Sequence, residues 1–515
     1  MPTLGVHGVE HRASLSHPAM DSSFLRMHTL ISGLGDLNWS LNGWTAFTLV
    51  AEILSLLTIP SVLLRRRGQS LSALAWILCL IGLPFFGVLL WWGLGRSHLK
   101  RKRRKRRTAR LTVTKGFVTL RPPGVEDEGG AALFPALRFP EEDAGGIFPA
   151  VKGNRARLLV DGAQTYTALQ EMILSARHHA HLLFYIWQKD ATGRYFRDLL
   201  AERARAGVQV RVLLDAMGAG GAAGRFMDPL REAGGRVAVF MPTRYLRRSL
   251  SLNFRNHRKI AVVDGRFGYT GGLNIGDEYM GEWRDMGLRL AGPAVSQLQE
   301  VFLDDWYFAT GEACADPAYF EGAAAPPGGA EGVAATCAML AGGPDTIDNP
   351  TLDTFFMGIT MSSERVWITT PYLAPSPDVL TALRTASYRG VDVRLLVPRR
   401  SDSRLVQLAG RSFYPALLRA GVRVYEYLPA VLHGKTWIFD REHLAIGSAN
   451  LDNRSFKLNF EITCFLRSAE AAAEMAALYE RDLAHAEEIL FDPFERRGTW
   501  TQIKESAANL LGPLL

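Results

Sequence analysis

One constellation occurs twice in this chain, in the same order and at the same spacing, and any fold must satisfy both copies. The first copy is His257, Lys259, Asp264, Gly271, Gly272 and Asn274; the second is His433, Lys435, Asp440, Gly447, Ser448 and Asn450. From His to Asn is 17 residues in each, and a carboxylate follows each His by 28 positions, Asp285 and Glu461. The segments before the motifs match as well. Residues 206–215 (AGVQVRVLLD) align with 389–398 (RGVDVRLLVP), and 233–239 (AGGRVAV) with 420–426 (AGVRVYE). In both copies a helical stretch ends at Gly and a β-branched run follows, which is the rhythm of an α/β sheet. The expectation is two homologous halves, each a mixed β-sheet flanked by helices, related by a pseudo-twofold axis. Chance does not reproduce six positions in register behind matched strands.

The residue types point to phosphoryl chemistry. Residues 257–264 are expected to form a strand, so that His257 and Lys259 share a face at period two, as do His433 and Lys435. Two such strands facing each other across the axis give one pocket with two imidazoles and two ammoniums. Lys259, Lys435, Asn274 and Asn450 then hold the non-bridging oxygens of a phosphodiester, with Gly272 and Ser448 beside them. One imidazole attacks phosphorus while the other protonates the leaving alcohol and then activates the incoming one. Asp285 and Glu461 are each expected to accept the far ring N–H of the histidine of their own half. Asp264 and Asp440 complete the motif, but at the strand ends they are expected to hold a turn. The symmetry leaves open which histidine is the nucleophile. A metal site built from His257, His433, Asp285 and Glu461 is disfavoured by the adjacent lysines. His178, His179, His181, His443 and His485 recur in no second copy and are expected to be ordinary core histidines.

At these residues the chain resembles the phospholipase D superfamily and, more narrowly, bacterial cardiolipin synthases. The resemblance is carried by residues 253–260 (NFRNHRKI), 271–279 (GGLNIGDEY), 283–285 (WRD), 292–293 (GP), 343–345 (GPD) and 451–461 (LDNRSFKLNFE), and by 83–87 (LPFFG) with 95–96 (GR). It runs from about Gly153 to the C-terminus. It implies a metal-independent transfer with no cofactor, through a phosphohistidine, from one phosphatidylglycerol to a second with release of glycerol. It also implies His257 as nucleophile and His433 as acid and base.

Of the 515 residues, the stretch ahead of the repeat is membrane-like. Residues 44–64 carry one formal charge, Glu52, and 71–94 carry none. Each is long enough to cross a hydrocarbon core of about 30 Å at about 1.5 Å per residue, so a two-helix hairpin over 38–95 is expected. Glu52 and Pro60 are costly inside the first span. Net charge is +8, and residues 100–107 are eight consecutive cations, so the rest of the chain sums to zero. A nucleic-acid enzyme carries its excess charge on the folded face. Here the charge follows a hydrophobic segment, where it suits anionic lipid, and with Arg96 it places the downstream part in the cytoplasm of a bacterial inner membrane. Four scattered cysteines make no disulfide framework.

The expected divisions are a leader, 1–37; the hairpin; a basic tract and linker, 96–145; one half, 146–321; a linker, 322–335; and the second half, 336–515. Arg244, Arg247, Arg248, Arg255 and Arg258 are candidates for gathering anionic headgroups. A hydrolytic phospholipase D, a nuclease with the same chemistry and a silent membrane scaffold are the competing functions. The motifs do not separate transfer from hydrolysis, and they leave the oligomeric state open.

Overall fold

The computed structural model describes residues 43–95, 146–241 and 254–512, apart from 315, 324–325, 327 and 346–349. The leader, the basic tract, all of the first linker and Arg244, Arg247 and Arg248 lie outside the described residues. The chain divides into two compact units, residues 1–96 and 97–515.

In the first unit, α1 (Gly43–Arg65) runs unbroken through Pro60, whereas the expected second span is two helices, α2 (Ser70–Gly82) and α3 (Pro84–Leu90), followed by a π turn at Trp91–Gly95. Leu83 and Pro84 break it, because proline supplies no N–H and disfavours helical geometry in the residue before it. Only α1 among the described helices is long and apolar enough to cross a membrane by itself. Val62, Ala73, Leu80 and Trp91 form its small shared core, Ser55 Oγ donates to the Leu80 carbonyl, and Leu56, Leu57, Leu63 and Leu64 face outward with Glu52.

The second unit is organised by one sixteen-stranded sheet. The first half supplies β1 (Val151–Val160), β2 (His179–Phe184), β3 (Gln209–Asp215), β4 (Arg236–Phe240), β5 (Ile260–Val263), β6 (Phe267–Gly271) and β7 (Met286–Ala291). The second supplies β8 (Val333–Gly342), β9 (Arg365–Thr369), β10 (Asp392–Pro398), β11 (Arg423–Tyr427), β12 (Thr436–Phe439), β13 (His443–Gly447), β14 (Asn459–Arg467) and β15 (Ala486–Ile489). Outward from β1 the order is β7, β6, β5, β2, β3, β4, and outward from β8 it is β14, β13, β12, β9, β10, β11, with β15 added at the edge.

The same path is thus walked twice, and the antiparallel β1–β8 pair, Val151 opposite Cys337, joins the halves. β8 begins at Val333, within the segment expected to link them. β2, β3 and β4 are parallel and the inner strands antiparallel, so each half is mixed as expected. β2 is buried at every position, which is why it shows no polar alternation. One apolar cluster spans both halves, from Val295 and Phe302 on the buried helix Ala294–Thr310 to Ile462 and Tyr479. Burial of this surface makes the halves one folding unit.

The motif segments are not strands over their whole length. β5 starts at Ile260 and β12 at Thr436, just after each lysine. Upstream, the His257 N–H donates to the Phe460 carbonyl at 2.9 Å and the His433 N–H to the Arg284 carbonyl at 2.7 Å. Each motif therefore leaves its own sheet and pairs with the other half: Arg255–Asn256 with Asn459–Phe460, and Val431–Leu432 with Trp283–Arg284.

Candidate active site

That backbone crossing decides the site's wiring. Phe460 and Arg284 immediately precede Glu461 and Asp285, so each carboxylate arrives beside the histidine of the opposite half. Glu461 Oε2 lies 3.1 Å from His257 Nδ1, and Asp285 Oδ2 lies 2.6 Å from His433 Nδ1. The own-half pairing expected from the sequence is corrected to a swapped one. With Nδ1–H donated to a buried carboxylate, each ring keeps Nε2 for substrate.

Both histidines line one cleft of about 350 Å³, with Tyr185, Asn274, Tyr279 and Trp283 from the first half and Tyr372, Asp402, Asn450, Asp452 and Arg454 from the second. Tyr185 meets the His257 ring edge-on at 4.9 Å, and Trp283 meets the His433 ring edge-on at 4.6 Å.

The lysines sit behind the rings. Lys259 Nζ donates to the His257 carbonyl at 2.8 Å, and Lys435 Nζ donates to the His433 carbonyl. Burial, and then Lys435, pulls Lys259 down to about 7; burial pulls Lys435 down to about 8. Burial also lowers His257, against the pull of Glu461, and with Lys435 it brings His433 to about 4. Asp285 is pushed up by burial, but Lys435 and His433 outweigh that and hold it low; Glu461 is held low by His257 in the same way. The two lysines thus lie buried beside two ionised carboxylates, and a phosphodiester anion bound in the cleft would favour their charged forms.

Other expected residues are placed differently. Asp264 and Asp440 adopt positive φ, 52° and 51°, and turn their carboxylates onto backbone N–H groups: those of Arg177, His178 and His179, and those of Ser363, Glu364 and Arg365. They tie the turn after β5 or β12 to the start of β2 or β9, away from the cleft, so the motif aspartates are structural.

Ser448 is fully buried and lies outside the cleft lining; its Oγ donates to Glu461 Oε2 and accepts the Ile462 N–H. Gly272 leaves room for the other carboxylate, since a Cβ there would stand 2.2 Å from Asp285 Oδ1. Asn274 Oδ1 accepts the Ile186 N–H, and Asn450 Nδ2 donates to Asp452 at 3.3 Å, so neither amide is wholly given to phosphate. Arg258 is buried against Asp305 at 2.7 Å and holds the Glu461 carbonyl, which removes it from headgroup capture; Arg255 lines the cleft. Of the single histidines, His179 and His181 are buried on Gln299, His178 and His443 are half-buried, and His485 is exposed, being in the turn before β15.

A family model described as "Cardiolipin synthase, PLD-like domain" matches residues 169–306 and 357–483, one segment in each half. The cardiolipin synthase of Alkalihalophilus pseudofirmus is 36% identical over 486 residues, 92% of this chain and 95% of that protein. The chain belongs to the cardiolipin synthase family. The Geobacillus kaustophilus cardiolipin synthase is 37% identical, covering 90% of this chain and 92% of its own length. Among solved structures, phosphatidylserine synthase of Haemophilus influenzae superposes with a TM-score of 0.55 at 15% identity, over 72% of this chain and 97% of that one, a likeness of fold.

Two measurements probe this family member's wiring. Gly272→Ala is expected to displace the Asp285 carboxylate, costing about 1–3 kcal/mol in a thermal melt and lowering kcat on the order of 100-fold. As pH rises through about 7 to 8, Lys259 and then Lys435 lose their protons. The cleft loses attraction for an anion, so kcat/KM in mixed micelles is expected to fall about tenfold per pH unit between about 7 and 8, where one proton is lost, and about 100-fold per unit above, where both are lost. Below pH 7 both ammoniums are charged and this loss disappears.

Sequence reasoning missed Tyr185, Tyr372, Asp402, Asp452 and Arg454 as cleft residues. Asp452 and Arg454 had a signal, because the repeat departs there: 176 positions earlier stand Gly276 and Glu278. Tyr372 and Asp402 lie on loops after β9 and β10, where no spacing points at the motif.

Proposed function

We propose that the protein transfers a phosphatidyl group from one phosphatidylglycerol to another, releasing glycerol and forming cardiolipin. The observation that carries this is the pair of histidines on one cleft, each with Nδ1 held by a buried carboxylate of the opposite half. His257 Nε2 attacks phosphorus, and His433 gives its proton to the departing glycerol oxygen. Burial, and after it the lysines, depress His433; the bound anion offsets the lysines' share and so raises its proton affinity for that role. The second phosphatidylglycerol then yields a hydroxyl proton to His433, its oxygen bonds phosphorus, and the bond to His257 breaks. Asp285 and Glu461 stabilise the charged imidazoles as they form.

Lipid reactants on both sides fit a membrane enzyme. Helix α1 would anchor it, with the basic tract and catalytic unit on the cytoplasmic side of the bacterial inner membrane. Trp500, 75% exposed on helix Thr499–Asn509, would contribute an apolar ring to contact with a membrane surface. Purified full-length protein given phosphatidylglycerol in vesicles should produce cardiolipin and glycerol in equal amounts by mass spectrometry. Phosphatidic acid without cardiolipin would replace transfer by hydrolysis, and salt-sensitive cleavage of DNA would favour the nuclease.

A further inference from the structure

The cleft is twofold in its histidines but not in its walls. Beside His433, Asp452 stands where the first half has Gly276. The matched bridges Trp187–Ile275 and Leu373–Leu451 put Tyr372 where the first half has Ile186. Phosphoryl chemistry shared by both halves does not require these second-half groups, so their chemistry concerns what lies on one side of phosphorus only.

Alongside the Arg454 guanidinium, this wall offers two carboxylates and an amide oxygen as hydrogen-bond acceptors. The Tyr372 hydroxyl donates to Asp402 at 2.7 Å, which fixes that carboxylate beside the cleft. Asp452 takes the Ser455 N–H at 2.6 Å and an Asn450 N–H. Because Asn450 Nδ2 points to Asp452, Oδ1 is the remaining end of the amide. Asn450 is 3% exposed, lines the cleft, and its Oδ1 has no partner among the described residues. Its counterpart Asn274 is satisfied there by the Ile186 N–H at 3.0 Å. A buried acceptor without a donor costs about 1–3 kcal/mol. An ionised phosphodiester brings only acceptors and cannot relieve it. An alcohol brings O–H donors and can.

We propose that Tyr372, Asp402, Asn450 and Asp452 form a polyol subsite that binds the hydroxyls of the glycerol headgroup, both as it leaves and as the second phosphatidylglycerol brings it in. This rests on the transfer reading above. Tyr372 lies edge-on to His433, 6.4 Å between ring centres, so a glycerol on this wall stands beside His433. That assigns His433 as the acid and base and His257 as the nucleophile, which the symmetric sequence left open. In the second step the glycerol oxygen bonds phosphorus and its proton passes to His433 Nε2. The phosphorus–nitrogen bond to His257 breaks, its electron pair returning to the ring.

The test is headgroup exchange by full-length protein on phosphatidylglycerol in mixed micelles, with deuterium-labelled glycerol, 1-propanol or ethanolamine as the soluble acceptor and the lipid products separated by mass spectrometry. Wild type should prefer glycerol to 1-propanol at least about tenfold, since a site built to bond a hydroxyl penalises its absence. Asp402→Ala, Asp452→Asn and Tyr372→Phe should each lower that preference several-fold. A folding defect lowers both rates and leaves their ratio alone, so the ratio reports the subsite. An unchanged ratio in all three variants overturns the proposal, as does a wild type that prefers ethanolamine, which would make the wall an ammonium site. Wild-type protein that gives phosphatidic acid with every acceptor overturns the transfer reading itself, a separate failure with a different product.

Discussion

His257→Ala is expected to abolish cardiolipin formation, and His433→Ala to abolish it as completely, with losses of about 10⁴-fold or more in kcat. The two are separated by a donor whose leaving group needs no proton, such as the p-nitrophenyl ester of phosphatidic acid. His433→Ala should then release one equivalent of p-nitrophenol per enzyme and stop, because phosphorus reaches His257 but no base activates the acceptor. His257→Ala should release none. The reverse pattern would exchange the two roles, and a lack of burst in both would remove the covalent step.

The swapped carboxylates make the second large effect. Glu461→Gln should behave like a damaged His257, suppressing the burst, although Glu461 belongs to the His433 half. Asp285→Asn should leave the burst and block turnover, as damage to His433 does. Losses of about 10²- to 10⁴-fold are expected, because an amide in place of the carboxylate favours the wrong ring tautomer. Own-half pairing would give the opposite assignment, so a burst measurement on these variants checks the wiring directly. Each carboxylate is also buried with a counter-cation beside it, Lys435 lying 3.8 Å from Asp285, which makes these side chains poor candidates for silent replacement.

Much of the site was legible because it is written twice. Matched spacing picked out His257, His433, Asp285 and Glu461, and all four meet at the cleft or directly behind it. Spacing along one chain carries no information about which half a side chain reaches, so the carboxylate partners were assigned within halves. The crossing of Arg255–Asn256 to the start of β14 involves, on the first-half side, a two-residue run with no strand-like pattern of its own. Gly272 and Ser448 occupy equivalent positions yet act differently: one clears space for Asp285, and the other hydrogen-bonds Glu461. Neither act is visible without the neighbouring carboxylate. The second apolar segment is one run by hydropathy, which counts its 24 residues alike, whereas Pro84 divides it into two helices.

By itself the sequence determined that two equivalent α/β halves exist, which titratable groups they contribute, and that apolar and basic segments precede them. Periodicity, repeat spacing and charge are properties of the chain, and burial of its apolar strands enforces them. The tertiary structure alone decided which imidazole each carboxylate serves, that the motif aspartates bind backbone, and that one wall of the cleft carries carboxylates, Asp402 and Asp452, where the other is lined by Tyr185, Tyr279 and Asn274. The carboxylate–imidazole contacts join residues 148 and 204 positions apart and the aspartate–backbone contacts residues 75 to 87 apart, and the first pair is fixed where the β1–β8 pair and the crossed segments bring the halves together.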